Sequence, residues 1–316
     1  MLPLQRLAAV AQDAGLRSIA GAVRLPSASN EAWKVDEVVV RISWSSDRVR
    51  AQREVRMLED LPSSVPHPKI LGNGVTADRT WTLTKWVPGE VVMDVWAAMS
   101  PVGRDRLAGQ LADALAALHE WTPSRGVREQ VAQRGRGATV DDLIGQDVNP
   151  VPIDRTLALV NRAKQAAYAD PAVIDAVAER LNELRPFDVG SSDDPVIHGD
   201  MTLMNLVAAG SSLQTLLDFE WVRLGPADLD LQGFLRPEPE ADAGDMIRRL
   251  AVHYPRIVSH PSVVERLWLY DLACTLRDII VCPASTSPEH LRPDHPLRRL
   301  PVIVESPVYI NELLDR

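Results

Sequence analysis

The stretch Val196-Ile197-His198-Gly199-Asp200-Met201-Thr202-Leu203-Met204-Asn205 is followed, thirteen residues after the asparagine, by Asp218-Phe219-Glu220. A carboxylate, an amide and a second carboxylate in this order can carry out phosphoryl transfer. The first carboxylate orients a hydroxyl and accepts its proton, while the amide and the second carboxylate hold Mg²⁺ against the phosphates of ATP. Asp200 is therefore the candidate catalytic base, and Asn205 and Asp218 are the candidate metal ligands. Glu220 is placed to reach a second metal or a nearby backbone amide. His198 is expected to brace the loop through hydrogen bonds rather than to move protons. Apolar residues 195–197 and 213–217 precede the two carboxylates, so two short strands would deliver the groups to one rim. A plain hairpin capped by solvated Asp and Asn would look similar. It is set aside because further parts of a phosphotransfer site stand upstream in the right order.

Those parts need a scaffold. Residues 2–14 form an amphipathic helix pattern stopped by Gly15. Residues 25–35 and 37–42 read as strand, small-residue turn, strand, turn, strand. The turn holds Ser27, Ser29 and Asn30, small enough to bring backbone amides close to phosphates, although such turns are common. Arg41 ends a β-branched run. Residues 46–61 carry Val49, Val55, Met57 and Leu58 at helical spacing, with Ser46 and Asp47 suited to capping. Glu54 on this helix is either a partner for a distant cation or a solvated charge neutralised by Arg50. Residues 81–87 read as a strand running into the Pro88-Gly89 turn.

Taken together these residues resemble the aminoglycoside phosphotransferase and choline kinase superfamily of small-molecule kinases. The likeness rests on His198-Gly199-Asp200 with Asn205, on Asp218-Phe219-Glu220, and on Gly225-Pro226-Ala227-Asp228-Leu229-Asp230-Leu231. It implies an α+β, protein-kinase-like two-lobed fold, with a small β-rich N-lobe over residues 1–88 and a larger, mostly helical C-lobe over residues 89–316. Ser27, Ser29 and Asn30 then become the nucleotide loop, and Arg41 the phosphate-binding cation where lysine is more usual. An arginine there stays charged and can fork across two phosphate oxygens. Glu54 becomes its helix partner. The backbone of Lys85, Trp86 and Val87 becomes the hinge facing adenine, with Trp86 packing on the base or filling core. His119, ending a helix over residues 104–121, is matched as a packing or hydrogen-bonding residue.

The implied activity is ATP- and Mg²⁺-dependent transfer of the γ-phosphoryl group to a small-molecule hydroxyl. The acceptor is foremost an antibiotic of aminoglycoside, macrolide, peptide or nucleoside type. Alternatives are a metabolic kinase for a sugar, amino sugar or amino alcohol, and a pseudokinase that binds nucleotide without catalysis, against which the intact Asp200, Asn205 and Asp218 argue. The short stretch between Asp218 and Asp230 leaves no room for a long activation segment, which argues against a loop-regulated protein kinase.

Composition agrees with this reading. The chain has 316 residues, 46% hydrophobic and 24% charged, ordinary for a globular protein. No apolar run is long enough to cross a bilayer and no basic-then-apolar leader opens the chain, so a cytoplasmic protein without a membrane partner is expected. The cysteines Cys274 and Cys282 are expected to be unpaired thiols. The first 88 residues carry 12 basic and 9 acidic side chains, and the remainder 22 and 34. A slightly basic first lobe suits a nucleotide. An acidic second lobe suits a cationic acceptor as readily as it suits solubility alone, and makes nucleic acid an improbable partner. The acidic run of residues 237–245 could meet substrate ammonium groups or be a solvated loop. Monomer and homodimer are both compatible with the sequence.

Overall fold

The computed structural model describes residues 2–27, 30–43, 50–76, 79–133, 139–144, 150–188, 194–236 and 242–314. Ser29, the expected helix start at Ser46 and residues 237–241 of the acidic run lie outside these.

The amino-terminal part is an antiparallel sheet of β1 (Val23–Leu25), β2 (Asn30–Val35), β3 (Val38–Ser43), β4 (Ile70–Thr76) and β5 (Arg79–Lys85), in the order β1-β2-β3-β5-β4. Strand alternation divides its residues between two faces. Trp33, Val35, Val40, Ile42, Trp81 and Leu83 pack beneath helix α1 (Pro3–Asp13) through Leu7 and Val10. Arg41 points to the other face, opposite Ala32 on β2 and Thr82 on β5. Helix α2 (Arg50–Asp60) lies against β4 and β5. Its Met57 and Leu58 are buried in the large core of the rest of the chain, so α2 joins the two parts. Strand β4 was not singled out by periodicity, since Gly72 and Gly74 interrupt its side-chain pattern.

After β5 the chain is mostly helical. A short strand β6 (Glu90–Val91) leads into α3 (Val92–Val95) and the long α4 (Pro101–Glu120), whose Leu107, Leu111, Leu115 and Leu118 are fully buried. Burial of each such side chain is worth roughly 1.5–3 kcal/mol. Helices α5 (Arg125–Ala132), α6 (Val140–Ile144), α7 (Ile153–Ala158), α8 (Val160–Ala163) and α9 (Pro171–Leu184) follow. Residues 153–163 thus carry two short helices rather than one. The carboxy-terminal helices are α10 (Gly244–His253), α11 (Val263–Val281), α12 (Pro296–Ile303) and α13 (Val308–Leu313). Helix α12 occupies what reads in sequence as a Pro-rich loop. Pro296 takes the first helical position, where its missing N–H costs nothing.

The site strands differ from a simple pair. Strand β7 (Val196–Ile197) pairs with β10 (Arg223–Leu224), while β8 (Leu206–Ala209) pairs with β9 (Ser212–Leu216) and β6. The loop bearing Asp200 and the residue Asp218 therefore leave two different sheets. Leu217 N–H donates to the Asn205 carbonyl at 2.8 Å and draws them together.

Candidate active site

The loop bearing Asp200 is fixed from below by one buried aspartate. Asp230 accepts the His198 N–H at 2.9 Å and the Gly199 N–H at 2.7 Å. It also accepts a 3.0 Å bond from His119 Nε2, whose Nδ1 takes the Tyr254 hydroxyl at 3.2 Å. Burial pushes the Asp230 carboxyl up, but the His119 hydrogen bond, the charges of His119 and His198 and the Gly199 amide outweigh it and hold it below the ordinary value. Gly199 has φ +80°, and a Cβ there would come within 2.6 Å of the Trp221 carbonyl, so the turn requires glycine. His198 is fully buried. Its Nε2 donates to the Leu217 carbonyl at 2.9 Å and its ring lies 4.8 Å from that of Phe219. It ties the loop to the strand that carries Asp218.

Asp200 projects from this turn. Asn205, at the end of a 3-10 turn over Leu203–Asn205, donates its amide to the Asp200 carbonyl at 2.7 Å and to the carboxylate at 3.3 Å. This leaves the Asn205 amide oxygen as the end directed elsewhere. Burial raises the Asp200 carboxyl above its ordinary value, and Arg236, His198 and Arg277 offset part of that rise. Asp218 has φ +60°, a strained conformation for a residue other than glycine. Burial and the neighbouring Glu220 push its carboxyl well up, with Arg41 opposing.

From the sheet side, Arg41 donates to the Glu54 carboxylate of α2 and, at 3.2 Å, to Asp218. Burial works against its charge, yet Glu54, Asp218 and Glu220 together hold the guanidinium firmly protonated. Glu54 is thus the cation's partner and not a solvated charge. Asn30 opens β2 and donates to Glu220 at 3.3 Å, both side chains buried, which links the sheet to the Asp218 loop. Ser27 is exposed at the end of β1. At the hinge, Lys85 N–H is used by the Lys69 carbonyl and Trp86 N–H by the Glu37 carbonyl. Pro88 has no N–H. Trp86 is half-buried under Lys34, whose Nζ lies 4.5 Å from the ring centre.

Among the described residues no cluster of three His, Cys, Asp or Glu stands ready to hold a metal. The oxygen donors of Asn205 and Asp218 nevertheless fit Mg²⁺, which is commonly bound through one or two carboxylates together with substrate phosphates. The crowding of Glu54, Asp200 and Glu220 around Asp218 is the charge imbalance a divalent cation relieves. Sequence reasoning brought Asp200, Asn205, Asp218, Arg41 and Glu54 to the site. It did not reveal the anchoring role of Asp230, although the aspartate lies within a quoted motif.

The profile of the phosphotransferase enzyme family matches residues 22–258. The chain belongs to this family. As a phosphotransferase of this kind it is a small-molecule kinase in fold and enzyme class. Solved aminoglycoside phosphotransferases superimpose over almost its whole length. The GDP complex of wild-type aminoglycoside 2'-phosphotransferase-IIIa is 17% identical, with a TM-score of 0.68 over 98% of this chain and 100% of that one. ADP-bound APH(2'')-Ib is 18% identical, with a TM-score of 0.65 over 96% and 98%. A thermostable APH(4)-Ia mutant in ternary complex with AMP-PNP and hygromycin B is 14% identical, with a TM-score of 0.65 over 95% and 96%. At these identities the likeness establishes the two-lobed α+β fold. No curated protein sequence matches the chain. No helix among the described residues is long and apolar enough to cross a membrane.

Proposed function

We propose that this phosphotransferase moves the γ-phosphoryl group of ATP to a hydroxyl of a small molecule, foremost an antibiotic, in the cytoplasm. Residues 1–88 serve as the nucleotide lobe, and residues 89–316 hold the catalytic loop, metal site and acceptor site. The observation that carries the reading is the convergence of Asp200, Asn205 and Asp218 with the Arg41–Glu54 pair at one junction. The nucleotide and aminoglycoside complexes formed by its structural relatives support it.

Asp200 orients the acceptor hydroxyl in line with the γ-phosphoryl group and takes its proton late, since the loose transition state needs little prior deprotonation. Asn205 holds the Asp200 backbone and carboxylate in position and, with Asp218, would bind Mg²⁺. When bound, the ion neutralises phosphate charge and fixes phosphate geometry. Arg41, aligned by Glu54, neutralises part of the remaining charge. Val87 N–H reads adenine, while the turn around Ser27, Ser29 and Asn30 covers the phosphates. Glu220 secures that turn to the catalytic lobe through Asn30.

The test is Mg²⁺-dependent ADP release across antibiotics, sugars and amino alcohols. Acceptor-dependent release is expected, and absence of both release and nucleotide binding would overturn the proposal. Hydrogen bonds to charged groups are worth about 1.5–3 kcal/mol. Arg41→Ala is accordingly expected to raise the KM for ATP about tenfold or more, and Arg41→Lys by less. Initial rates against ATP concentration check this, and an unchanged KM would remove Arg41 from the phosphate site.

A further inference from the structure

Helix α2 carries Glu54, the partner of Arg41, and it is gripped by a helix from the other part of the chain. Gln130 of α5 donates its side-chain Nε2 to the Arg53 carbonyl at 2.9 Å. That carbonyl belongs to the peptide unit that leads directly into Glu54. A helix carbonyl has two lone pairs, and the intrahelical bond uses one of them. At the opposite end of α2, its last residue, Asp60, accepts the Ser124 N–H at 2.7 Å. Ser124 is the residue before α5, so the Asp60 carboxylate meets the positive end of that helix. The start of α5 thus meets the end of α2, and the end of α5 meets its start. The two helices run antiparallel and are bonded at both ends.

Helix α5 is in turn seated on the part that bears Asp200. Val127 and Val131 are buried in the large core, and α5 packs against β10. Strand β10 pairs with β7, which runs straight into His198-Gly199-Asp200. Beside α2 and the Asp218 loop a cavity opens, lined by Glu54, Met57, Gln130, Val131, Phe219 and Val222. Side chains around a void lose the contacts that would fix them. The hydrogen bond from Gln130 is therefore the contact that holds the Glu54 turn from the α5 side. A continuous path results, from β7 through β10, α5 and Gln130 to Glu54, Arg41 and Asp218.

Resting on the phosphotransfer reading of the site, we infer that Gln130 is a positioning residue for nucleotide binding. It holds the peptide before Glu54, Glu54 aligns Arg41, and Arg41 meets the phosphates. Asp60 serves the same purpose at the other end of the helix pair. Through α5, the part that carries Asp200 sets the geometry of the cation that receives ATP.

The full chain is titrated with Mg²⁺ and AMP-PNP and, separately, with adenosine, which lacks the phosphates. Gln130→Met keeps the length of the side chain and removes the donor. It is expected to weaken AMP-PNP binding about fivefold, the size of one neutral hydrogen bond, with adenosine binding held within about twofold. Asp60→Ala, at a site of its own, should act in the same direction, and thermal melts check that each variant is folded. Introduced into Glu54→Ala, Gln130→Met should cost nothing further, because the contact through which it acts is already gone. Unchanged AMP-PNP binding in either Gln130→Met or Asp60→Ala would overturn the inference. An equal loss for adenosine, or a loss carried in full into Glu54→Ala, would overturn it too, since either marks general loosening of the fold. Failure of the phosphotransfer reading would show in the parent, which would then bind neither AMP-PNP nor adenosine, and both would fall.

Discussion

Acceptor-dependent ADP release is expected to fall about 10²–10⁴-fold when Asp200 is replaced by alanine, with nucleotide affinity nearly unchanged. Asp200 rests on the turn that Asp230 anchors and is steadied by Asn205. The nucleotide side is served by different residues, Arg41 and Glu54 on the sheet and α2. Asp200→Asn refines the test, because it keeps the shape and removes the proton acceptor. Burial raises the folded-state pKa of Asp200 above the unfolded value near 3.9. The ionised form needed for catalysis is therefore the form that burial penalises. Turnover should drop as pH falls through this raised value, so its acid limb lies above the ordinary carboxylate range. The same sign predicts that Asp200→Asn melts at a higher temperature than the parent at neutral pH, because it removes a penalised buried charge. Single-turnover rates, nucleotide titration and thermal melts check all three. Normal turnover at saturating ATP combined with lost ATP binding would move Asp200 out of its catalytic role.

Asp230→Ala is expected to cost about 3–5 kcal/mol of stability, the range for breaking a buried charged network by removing one partner. The substitution leaves three buried donors, His198 N, Gly199 N and His119 Nε2, without their shared acceptor. Its pH signature is opposite in sign to that of Asp200. The folded-state pKa of Asp230 is depressed. Its contribution is therefore complete above the unfolded value near 3.9 and is lost as pH falls through the folded one. Urea unfolding at neutral pH and again in acid should show the deficit of the variant shrinking on acidification. A midpoint unchanged at neutral pH would mean that the catalytic turn is held by something else. Turnover should also suffer, since the peptide between His198 and Gly199 would no longer be pinned under Asp200.

Some of this was legible along the chain because the information is local. Asp200, Asn205 and Asp218 lie within nineteen residues, and their order alone reports a carboxylate, an amide and a carboxylate. The leucine stripe of α4 needs only helical spacing, and Arg41 only the alternation of a strand. Cues of that kind mislead where local and tertiary preferences conflict. Pro296 and Pro301 read as breakers, yet α12 forms because Leu297, Leu300 and Ile303 are buried in the core and Arg299 is bound to Asp271. The glycines of β4 hide a strand that pairing with β5 makes regular.

By itself, then, the sequence set out a carboxylate, an amide and a carboxylate in the order phosphoryl transfer uses, and its resemblance to a known family implied the fold class and the pairing of Arg41 with Glu54. Only the tertiary structure decided what stands around them. His119 and Asp230 are 111 residues apart, Asn30 and Glu220 are 190 apart, and Arg236 meets Asp278 across α11. No periodicity or spacing encodes such meetings. The acidic balance of the second lobe suited a cationic acceptor and plain solubility equally. An ion pair depends on which groups share a neighbourhood and not on how many of each the chain contains, and packing sets Arg236 and Arg277 against Asp278 with Asp200 nearby.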